Sequence, residues 1–342
     1  MTLKPTSARL FFSLASLLLF CGVNVLAQPI APGYTHFQLK AKNDTFDFFV
    51  ADTNLTIKKP IFLYCQGSQP VPLFIDFPEQ GVQAIPLNNF DVDELRKHYH
   101  VVVLSMPKTP VSARLDQLNP SLNYIQNPNE PYSYLPAFTA ADYLDNYVFR
   151  ANQVLHHLRK QAWVDSKQFV VAGHSQGSHV ALGIAKTNKQ VTHLGLFGFN
   201  PLGRIDQYLR MARKQVEAGN ITWKDADSIQ KVHIKEYQEM YTSSDAPFAK
   251  SWKSFSKSQL NELKTLKISV YIAYGTSDIN SDFCDLLPLY FIEEGKTNYQ
   301  LKRYPNLEHN FFPLLANGYP DYQHGYWREV MNSFVSWSTL QH

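Results

Sequence analysis

The sequence predicts an α/β fold in which helices cover both faces of a mostly parallel central sheet. Continuous apolar runs recur along the chain, and such runs are typical of parallel strands buried on both faces. Segments with the apolar spacing of amphipathic helices alternate with these runs. No internal repeat or interdomain linker interrupts the alternation. We therefore expect one domain over residues 28–342, with a helical insertion inside it.

The first part of the chain predicts four strands. Residues 34–39 and 45–50 are short β runs on either side of a turn-like sequence. Residues 61–65 and 100–106 are uninterrupted apolar runs, so each predicts a buried strand. Between them, residues 69–97 contain prolines and show little periodicity, which predicts mainly an elaborated loop.

A long connection, residues 107–138, is rich in Pro, Asn and Tyr. A structureless connection of this length is uncommon in a compact domain and is often functional. It is expected at the C-terminal edge of the sheet, where α/β folds bind ligands. Two interpretations stay open: a ligand-binding loop that carries Tyr124, Tyr132 and Tyr134, and a packed surface loop.

A helix is predicted after this connection. Thr139, followed by Asp142, has the pattern of a helix N-cap. The apolar face of the helix has the expected spacing, and its members are Leu144, Tyr147, Val148, Ala151, Leu155, Leu158 and Ala162. Buried strands are predicted next at residues 169–172 and 191–199.

Residues 203–266 are charged and helical in pattern and contain no predicted strand. Three helices are expected: one that ends at Gly219, one that Thr222 begins, and a short one that Ser258 caps. A helical insertion between two sheet strands is typical of a cap or lid over the strand ends. The alternative is an enlarged crossover connection, but the segment is several times longer than a crossover needs.

The last part of the chain returns to the α/β alternation. Strands are predicted at residues 268–274 and 299–304, with a helix at 283–294 between them. A final helix has an apolar face made by Tyr326, Trp327, Val330, Met331, Phe334 and Trp337.

The sequence Gly173-His174-Ser175-Gln176-Gly177 lies between the predicted strand 169–172 and an apolar helix. A G-x-S-x-G at such a junction holds its serine at the tip of a tight, strained turn that exposes the hydroxyl group. The residues two before and two after the serine must be small, and here both are glycines. We therefore expect Ser175 to act as a nucleophile.

Acyl transfer by a serine also needs a base and a carboxylate that orients the base. Asp278 follows the predicted strand 268–274, and His309 follows the strand 299–304. The C-terminal ends of parallel strands lie at one edge of a sheet, so both residues are expected beside Ser175. With serine, acid and histidine in this order, the chain resembles the α/β-hydrolase family over essentially the whole sequence after residue 27.

The resemblance implies a role for each of these residues. Ser175 corresponds to the nucleophile, His309 to the general base and later acid, and Asp278 to the orienting carboxylate. The backbone N–H of Gln176 corresponds to the first oxyanion donor.

The second oxyanion donor is less well matched. It normally comes from the loop after the third strand, where many family members have His-Gly and this chain has Gln66-Gly67-Ser68. Two prolines follow closely and have no N–H, which leaves Ser68 or Gln69 as the candidate donor.

The other histidines do not form a recognisable site. His174 and His179 lie close to Ser175 in sequence but cannot easily reach back to it as a base, so they are expected to be structural. His156, His157 and His233 show no metal-ligand spacing. No G-x-G-x-x-G or P-loop sequence is present, so the sequence indicates neither a nucleotide cofactor nor a metal.

Residues 1–27 have the pattern of a secretory signal peptide. Lys4 and Arg9 give a positively charged start before an apolar stretch, residues 10–20, and small residues precede the predicted cleavage after Ala27. An uncleaved anchor is the alternative, but the stretch is short for a membrane span. A secreted or periplasmic protein is expected. Removing two basic residues and no acid lowers the net charge from +3 to +1, which does not indicate nucleic-acid binding.

Two of the three cysteines, Cys65 and Cys284, lie after the predicted cleavage point. In the expected sheet order, two other strands lie between the strand that ends at Cys65 and the strand that precedes Cys284. Those two parent strands are therefore about 14 Å apart, at roughly 4.8 Å per step. A disulfide requires Cα atoms within about 7 Å. No disulfide is predicted.

These features favour an exported serine hydrolase that cleaves carboxylic esters or related acyl bonds of a small-molecule substrate through an acyl-enzyme. A peptidase of the prolyl-oligopeptidase type is an alternative, although such proteins usually have Gly-Gly where this chain has Gly177-Ser178. An acyltransferase and a non-catalytic binding protein on the same scaffold are further alternatives.

Overall fold

The computed structural model describes residues 27–42, 44–243 and 246–340. Its strands are β1 (Ala27–Ala31), β2 (Tyr34–Ala41), β3 (Asp44–Val50), β4 (Lys59–Cys65), β5 (Phe74–Phe77), β6 (Gly81–Ala84), β7 (His100–Leu104), β8 (Ser112–Arg114), β9 (Val164–His174), β10 (His193–Phe197), β11 (Ser269–Gly275) and β12 (Tyr299–Tyr304). Its α-helices are α1 (Val92–His98), α2 (Pro136–Ala141), α3 (Leu144–Leu158), α4 (Gln176–Thr187), α5 (Arg204–Glu217), α6 (Trp223–Ser243), α7 (Pro247–Phe255), α8 (Leu260–Thr265), α9 (Ser281–Glu293) and α10 (Trp327–Leu340).

Nine of the described strands form the central sheet, in the order β1-β2-β3-β7-β4-β9-β10-β11-β12. The six strands β7, β4, β9, β10, β11 and β12 pair in parallel with their neighbours in the sheet. Strands β1, β2 and β3 pair antiparallel and extend the sheet beside β7. The predicted mostly parallel sheet is confirmed. Its central strands are apolar on both faces because helices cover both sides.

Two hydrophobic clusters fill the space between the sheet and its helices. On one face, α3, α4 and α9 bury residues such as Leu155, Val180 and Leu287 against the sheet. On the other face, α1 and α10 bury Leu95 and Phe334. The predicted helices on both faces of the sheet are therefore present, and the sheet lies at the centre of the molecule.

The segment 69–97 is more ordered than the sequence predicted. It contains β5, β6 and α1 rather than mainly loop, and β8 from the following connection joins β5 and β6 in a small second sheet. The strands are short, so their alternation was too brief to recognise. Asp91 caps α1 by accepting a hydrogen bond from the N–H of Glu94, 3.1 Å away.

The helix predicted to begin at Thr139 is wrong at its start. Thr139 lies inside α2, and α3 begins only after Tyr143. The side chain of Asp142 makes no cap and instead accepts a hydrogen bond from the hydroxyl of Tyr147, 2.8 Å away. Tertiary contacts of Asp142 therefore replace the capping role that its position suggested.

Residues 203–266 fold into helices, which we call the helical insertion. It contains α5, α6, α7 and α8, so the described residues include one more helix than the three predicted. The predicted start at Thr222 is confirmed, since Thr222 and Asp225 exchange side-chain and backbone hydrogen bonds at the N-terminus of α6. Pro247 begins the additional helix, α7.

The predicted signal segment falls almost entirely on residues 1–26, outside the described residues, and Ala27 is the first residue of β1. None of the described helices combines the length and hydropathy that a membrane crossing requires.

Cys65 ends β4 and Cys284 lies in α9, and both are free thiols. Two strands, β9 and β10, separate β4 from β11, as the predicted sheet order required.

Candidate active site

Ser175 occupies the single position between β9 and α4. Its backbone has φ 55° and ψ −125°, a left-handed φ that is strained for a residue with a Cβ atom. A Cβ on Gly173 would overlap the carbonyl of Gly177, and a Cβ on Gly177 would overlap the carbonyl oxygens of Cys65 and Gln66. The close approach of these backbones therefore requires glycine at both positions.

Asp278 and His309 lie together at the same edge of the sheet. Asp278 follows β11 and is 2% exposed, and His309 follows β12. The Nδ1 atom of His309 lies 2.9 Å from Oδ2 of Asp278, and Oδ1 of Asp278 accepts a hydrogen bond from the N–H of Asn280, also 2.9 Å away. The carboxylate thus fixes the ring of His309 through one nitrogen and leaves Nε2 for another partner.

The two residues shift each other's pKa in opposite directions. Burial alone would lower the pKa of His309, but the charge and hydrogen bond of Asp278 outweigh it and raise the pKa above the ordinary value of 6.5. Burial alone would raise the pKa of Asp278, but His309 and the N–H of Asn280 lower it below its ordinary value. Asp278 is therefore ionised near neutral pH, as an orienting carboxylate must be.

Gly198, the residue after β10, connects Ser175 to His309. It lines the same cavity as Ser175, and the N–H of Ser175 donates to the carbonyl of its neighbour Phe197, 3.0 Å away. A Cβ on Gly198 would lie 3.0 Å from both Nδ1 and Cε1 of His309. The imidazole ring therefore packs on the bare backbone beside Ser175.

Further contacts hold the loop that carries His309. His174 donates a hydrogen bond from Nε2 to the carbonyl of His309, 2.9 Å away, and burial lowers the pKa of His174 to about 3, so its ring is neutral. The side chain of Glu308 accepts hydrogen bonds from the N–H groups of Asn310 and Phe312. His174 and Glu308 support the position of His309, a role that no sequence pattern indicated for Glu308.

His179 lines the same cavity as Ser175, but its ring is held by another partner. Its Nδ1 lies 2.7 Å from the side-chain oxygen of Gln259, and burial lowers its pKa to about 4. It connects α4 to the helical insertion.

The predicted oxyanion donors lie beside Ser175. Gln176 begins α4, so its N–H is at a helix N-terminus, where the helix dipole favours negative charge. Ser68 and Gln69 line the cavity with Ser175, and their N–H groups donate to no acceptor among the described residues. Both therefore remain candidates for the second donor.

A cavity of about 600 Å³ opens above Ser175. Part of its lining comes from the chain before α3, through Tyr132, Tyr134, Phe138 and Thr139. Another part comes from the helical insertion, through Arg204, Tyr208, Phe248, Trp252 and Phe255. Of the three tyrosines predicted for a binding loop, Tyr132 and Tyr134 line the cavity. Tyr124 instead packs against the small second sheet.

Sequence reasoning missed the polar network in this cavity. Arg204 donates a hydrogen bond to the side-chain oxygen of Gln176, and the amide nitrogen of Gln176 donates to Oδ1 of Asp142, 3.2 Å away. Ser251 donates to Oδ2 of Asp142, 2.7 Å away. These residues come from four separate segments, so no local motif connects them.

A larger open depression of about 890 Å³ lies between β12 and α10. Its described lining residues include none of the predicted catalytic residues, so the smaller cavity at Ser175 is the candidate site. Within the described ranges, no group of three or more His, Cys, Asp or Glu side chains is placed to hold a metal ion.

Several solved structures resemble this one. A Bacteroides ovatus protein assigned as a dipeptidyl aminopeptidase IV has a TM-score of 0.55 and 13% identity, and the match covers 90% of this chain and 35% of that chain. A Klebsiella pneumoniae protein assigned as a dienelactone hydrolase has a TM-score of 0.53 and 11% identity, and the match covers 90% of this chain and 99% of that chain. The acylaminoacyl peptidase of Pyrococcus horikoshii has a TM-score of 0.51 and 14% identity, and the match covers 88% of this chain and 41% of that chain.

This chain thus spans well under half the length of the two peptidases, and nearly the full length of the Klebsiella protein. No protein-family model matches the sequence, and no curated protein sequence matches it significantly. Identities this low show the fold alone. The sheet order, the strand-to-helix turn at Ser175 and these likenesses establish that the chain has the α/β-hydrolase fold.

Proposed function

We propose that this protein is a serine hydrolase that cleaves carboxylic esters, or related acyl bonds, through an acyl-enzyme on Ser175. The observation that carries the proposal is the strained Ser175 at the sheet edge where Asp278 binds Nδ1 of His309. A serine with a left-handed φ between two obligatory glycines costs stability, and such strain is typical of functional sites.

In the first half of the reaction, Oγ of Ser175 attacks the substrate carbonyl carbon. The Nδ1–H of His309 donates a hydrogen bond to the carboxylate of Asp278, so Nε2 is the basic nitrogen that takes the hydroxyl proton. The carbonyl oxygen becomes an oxyanion, which the N–H of Gln176 and a second N–H, from Ser68 or Gln69, stabilise. The proton on Nε2 then passes to the leaving alcohol, and the ester bond breaks.

In the second half, water replaces the alcohol. His309 takes a proton from the water, the hydroxide attacks the acyl-enzyme, and Ser175 recovers its proton as the carboxylic acid leaves. In this proposal the helical insertion acts as a cap that closes one side of the cavity. We also propose that the protein is exported by its N-terminal signal segment.

Labelling with a fluorophosphonate probe tests the nucleophile. The probe phosphonylates an activated serine, so an adduct is expected on Ser175 in the folded protein and not in Ser175→Ala. Ser228→Ala is the matched control, because Ser228 is exposed on α6, does not line the cavity and should leave the adduct in place. An absent adduct, or one that persists in Ser175→Ala, would reject the proposal.

Substrate panels test the bond type. Nitrophenyl esters of increasing acyl length and aminoacyl anilides should be compared by kcat/KM. Faster turnover of the esters supports ester hydrolysis, and turnover of the anilides alone would favour the peptidase alternative.

A further inference from the structure

The cavity at Ser175 contains a guanidinium whose role in the proposed reaction is unassigned. Of the described residues that line it, Arg204 is the one Arg or Lys and Asp142 is the one Asp or Glu. No described carboxylate lies within ion-pair distance, 4.0 Å, of Arg204, and its polar partners are the neutral side chains of Gln176 and Ser251. Arginine has five N–H donors, so donors remain for a ligand.

Asp142 is already occupied by neutral donors. Oδ1 accepts hydrogen bonds from Tyr147 and from the amide of Gln176, and Oδ2 accepts one from Ser251. A carboxylate with three such partners is less available to a substrate amine. The unsatisfied charge that faces the cavity is therefore positive.

The guanidinium is held in place by aromatic rings. Its centre lies 5.3 Å from the ring centroid of Trp252 and 5.1 Å from that of Phe255, distances typical of cation–π contacts. Burial lowers the pKa of Arg204 from its usual value, because desolvation destabilises the charge, and the nearby charge of Asp142 offsets this only in part. A bound anion would compensate that loss of solvent. Arg204 is also the first residue of α5, where the helix dipole favours negative charge.

Resting on the proposed hydrolase function, we propose that Arg204 is a specificity-determining residue that binds a carboxylate on the substrate. The preferred substrates are then esters that carry a carboxylate near the scissile carbonyl, such as monoesters of short dicarboxylic acids. A planar guanidinium can bind a carboxylate through two parallel hydrogen bonds, which gives both affinity and orientation.

Two matched pairs of esters test the proposal. On the acyl side, 4-nitrophenyl hydrogen glutarate is compared with 4-nitrophenyl hexanoate, and on the alcohol side, 4-acetoxyphenylacetate is compared with 4-ethylphenyl acetate. The readout is the ratio of kcat/KM for the charged over the neutral ester. In Arg204→Met, this ratio should fall about ten- to hundredfold for at least one pair, the range for a charged hydrogen-bonded pair.

Two control variants separate charge recognition from structural damage. Arg213→Met removes an exposed guanidinium from the same helix and should leave both ratios unchanged. Arg204→Lys keeps the charge without the planar fork and should lower the ratio less than Arg204→Met. If Arg204 only positions Gln176, both esters of a pair slow equally, the ratio stays constant, and the proposal is overturned.

A binding measurement keeps this proposal separate from the hydrolase function. Calorimetry with 4-nitrophenyl hydrogen glutarate is carried out on Ser175→Ala and on the double variant with Arg204→Met. We expect at least tenfold weaker binding in the double variant, and equal affinities would overturn the proposal. Absence of turnover and of a probe adduct in the wild-type protein would reject the hydrolase function while this binding result still decides the role of Arg204.

Discussion

At the scale of single residues, two opposing effects act on the pKa of His309. Its side chain is 24% exposed, and the protein around it disfavours a charged imidazolium, whereas the fully buried carboxylate of Asp278 favours it. The attraction to Asp278 is larger than the effect of burial, so the pKa of His309 is raised. Only the neutral imidazole can accept the proton of Ser175, so the raised pKa sets the lower pH limit of the proposed reaction.

The acid limb of kcat/KM should therefore lie above pH 6.5, the ordinary pKa of histidine. In Asp278→Asn the attraction is lost while the burial remains, so the limb should move to lower pH. The rate should also fall by about four orders of magnitude, by analogy with other catalytic triads. A pH–rate profile with an activated ester measures both effects.

Asp282→Asn is the matched control for this profile. Asp282 is the second residue of α9 and is close to Asp278 in sequence, but it pairs with Lys214, 3.0 Å away. Its removal should leave the acid limb in place. A limb that moves in Asp282→Asn and not in Asp278→Asn would contradict the assignment of the acid.

Gly198 gives a second prediction at this scale. Gly198→Ala should lose about 1–2 kcal/mol of unfolding free energy, because its φ is 56° and a Cβ disfavours this region. It should also lower kcat/KM at least tenfold, because the new Cβ lies 3.0 Å from the imidazole of His309.

Gly295→Ala separates the two effects of Gly198→Ala. Its φ is 61°, and a Cβ there meets no described atom within 4 Å. A similar loss of stability with unchanged kcat/KM is expected, as measured by urea unfolding and ester turnover. Equal losses of activity in both variants would show that contact with His309 is unimportant.

At the scale of elements, the site depends on how closely three backbones approach at the turn between β9 and α4. Gly177→Ala should cost about 1–3 kcal/mol or more, because its Cβ would overlap backbone carbonyls at the end of β4 and neither can rotate away. Urea unfolding measures the loss.

Gly183→Ala, in the same helix, is the control for Gly177→Ala. Its Cβ would lie 2.7 Å from Cγ2 of Val148, a contact with a side chain rather than with backbone, and alanine gains roughly 1 kcal/mol of helix propensity over glycine. The net change should be within about 1 kcal/mol of zero. A loss as large as that of Gly177→Ala would mean that packing of α4, rather than the turn, is responsible.

Long apolar runs could be predicted as elements, whereas short elements could not. Strand β12 was predicted with its observed bounds, since Tyr299–Tyr304 follows a helix stop at Gly295. The strands β5 and β6 have only four residues each, too few to show a period. The start of α3 was misplaced because contacts distant in sequence decide what Asp142 binds.

The same distinction applies to the site. Ser175 has a local motif, and Asp278 and His309 are marked by their positions after strands, so the sequence could bring them together. Arg204 has no such mark, because its importance depends on Gln176, Trp252 and Phe255, which folding brings to it. A residue whose role depends on partners from other segments can be recognised only once the structure shows those partners.

At the scale of the whole molecule, Cys284 reports on global unfolding. It is 0% exposed in the core between α9 and the sheet, and burial strongly raises the pKa of its thiol, so the reactive thiolate is scarce. Alkylation of Cys284, followed by peptide mass mapping, should begin only at the urea concentration where tryptophan fluorescence reports unfolding. Alkylation well below that concentration would show that α9 opens separately.

The mass of the non-reduced protein should also show no disulfide between Cys65 and Cys284. A protein two hydrogens lighter, or a melting temperature that falls on adding reductant, would contradict the free thiols of the structure.

The proposed catalytic residues and much of the cavity lining come from different parts of the fold, and this has an evolutionary consequence. The proposed reacting groups follow the ends of strands, whereas Arg204, Tyr208 and Trp252 belong to the helical insertion. Mutation in the insertion can therefore change which molecules are selected while inheritance of the sheet preserves the chemistry. The hydrogen bond from Arg204 to Gln176 joins the two parts, so lineages that replace the insertion must supply another partner for Gln176.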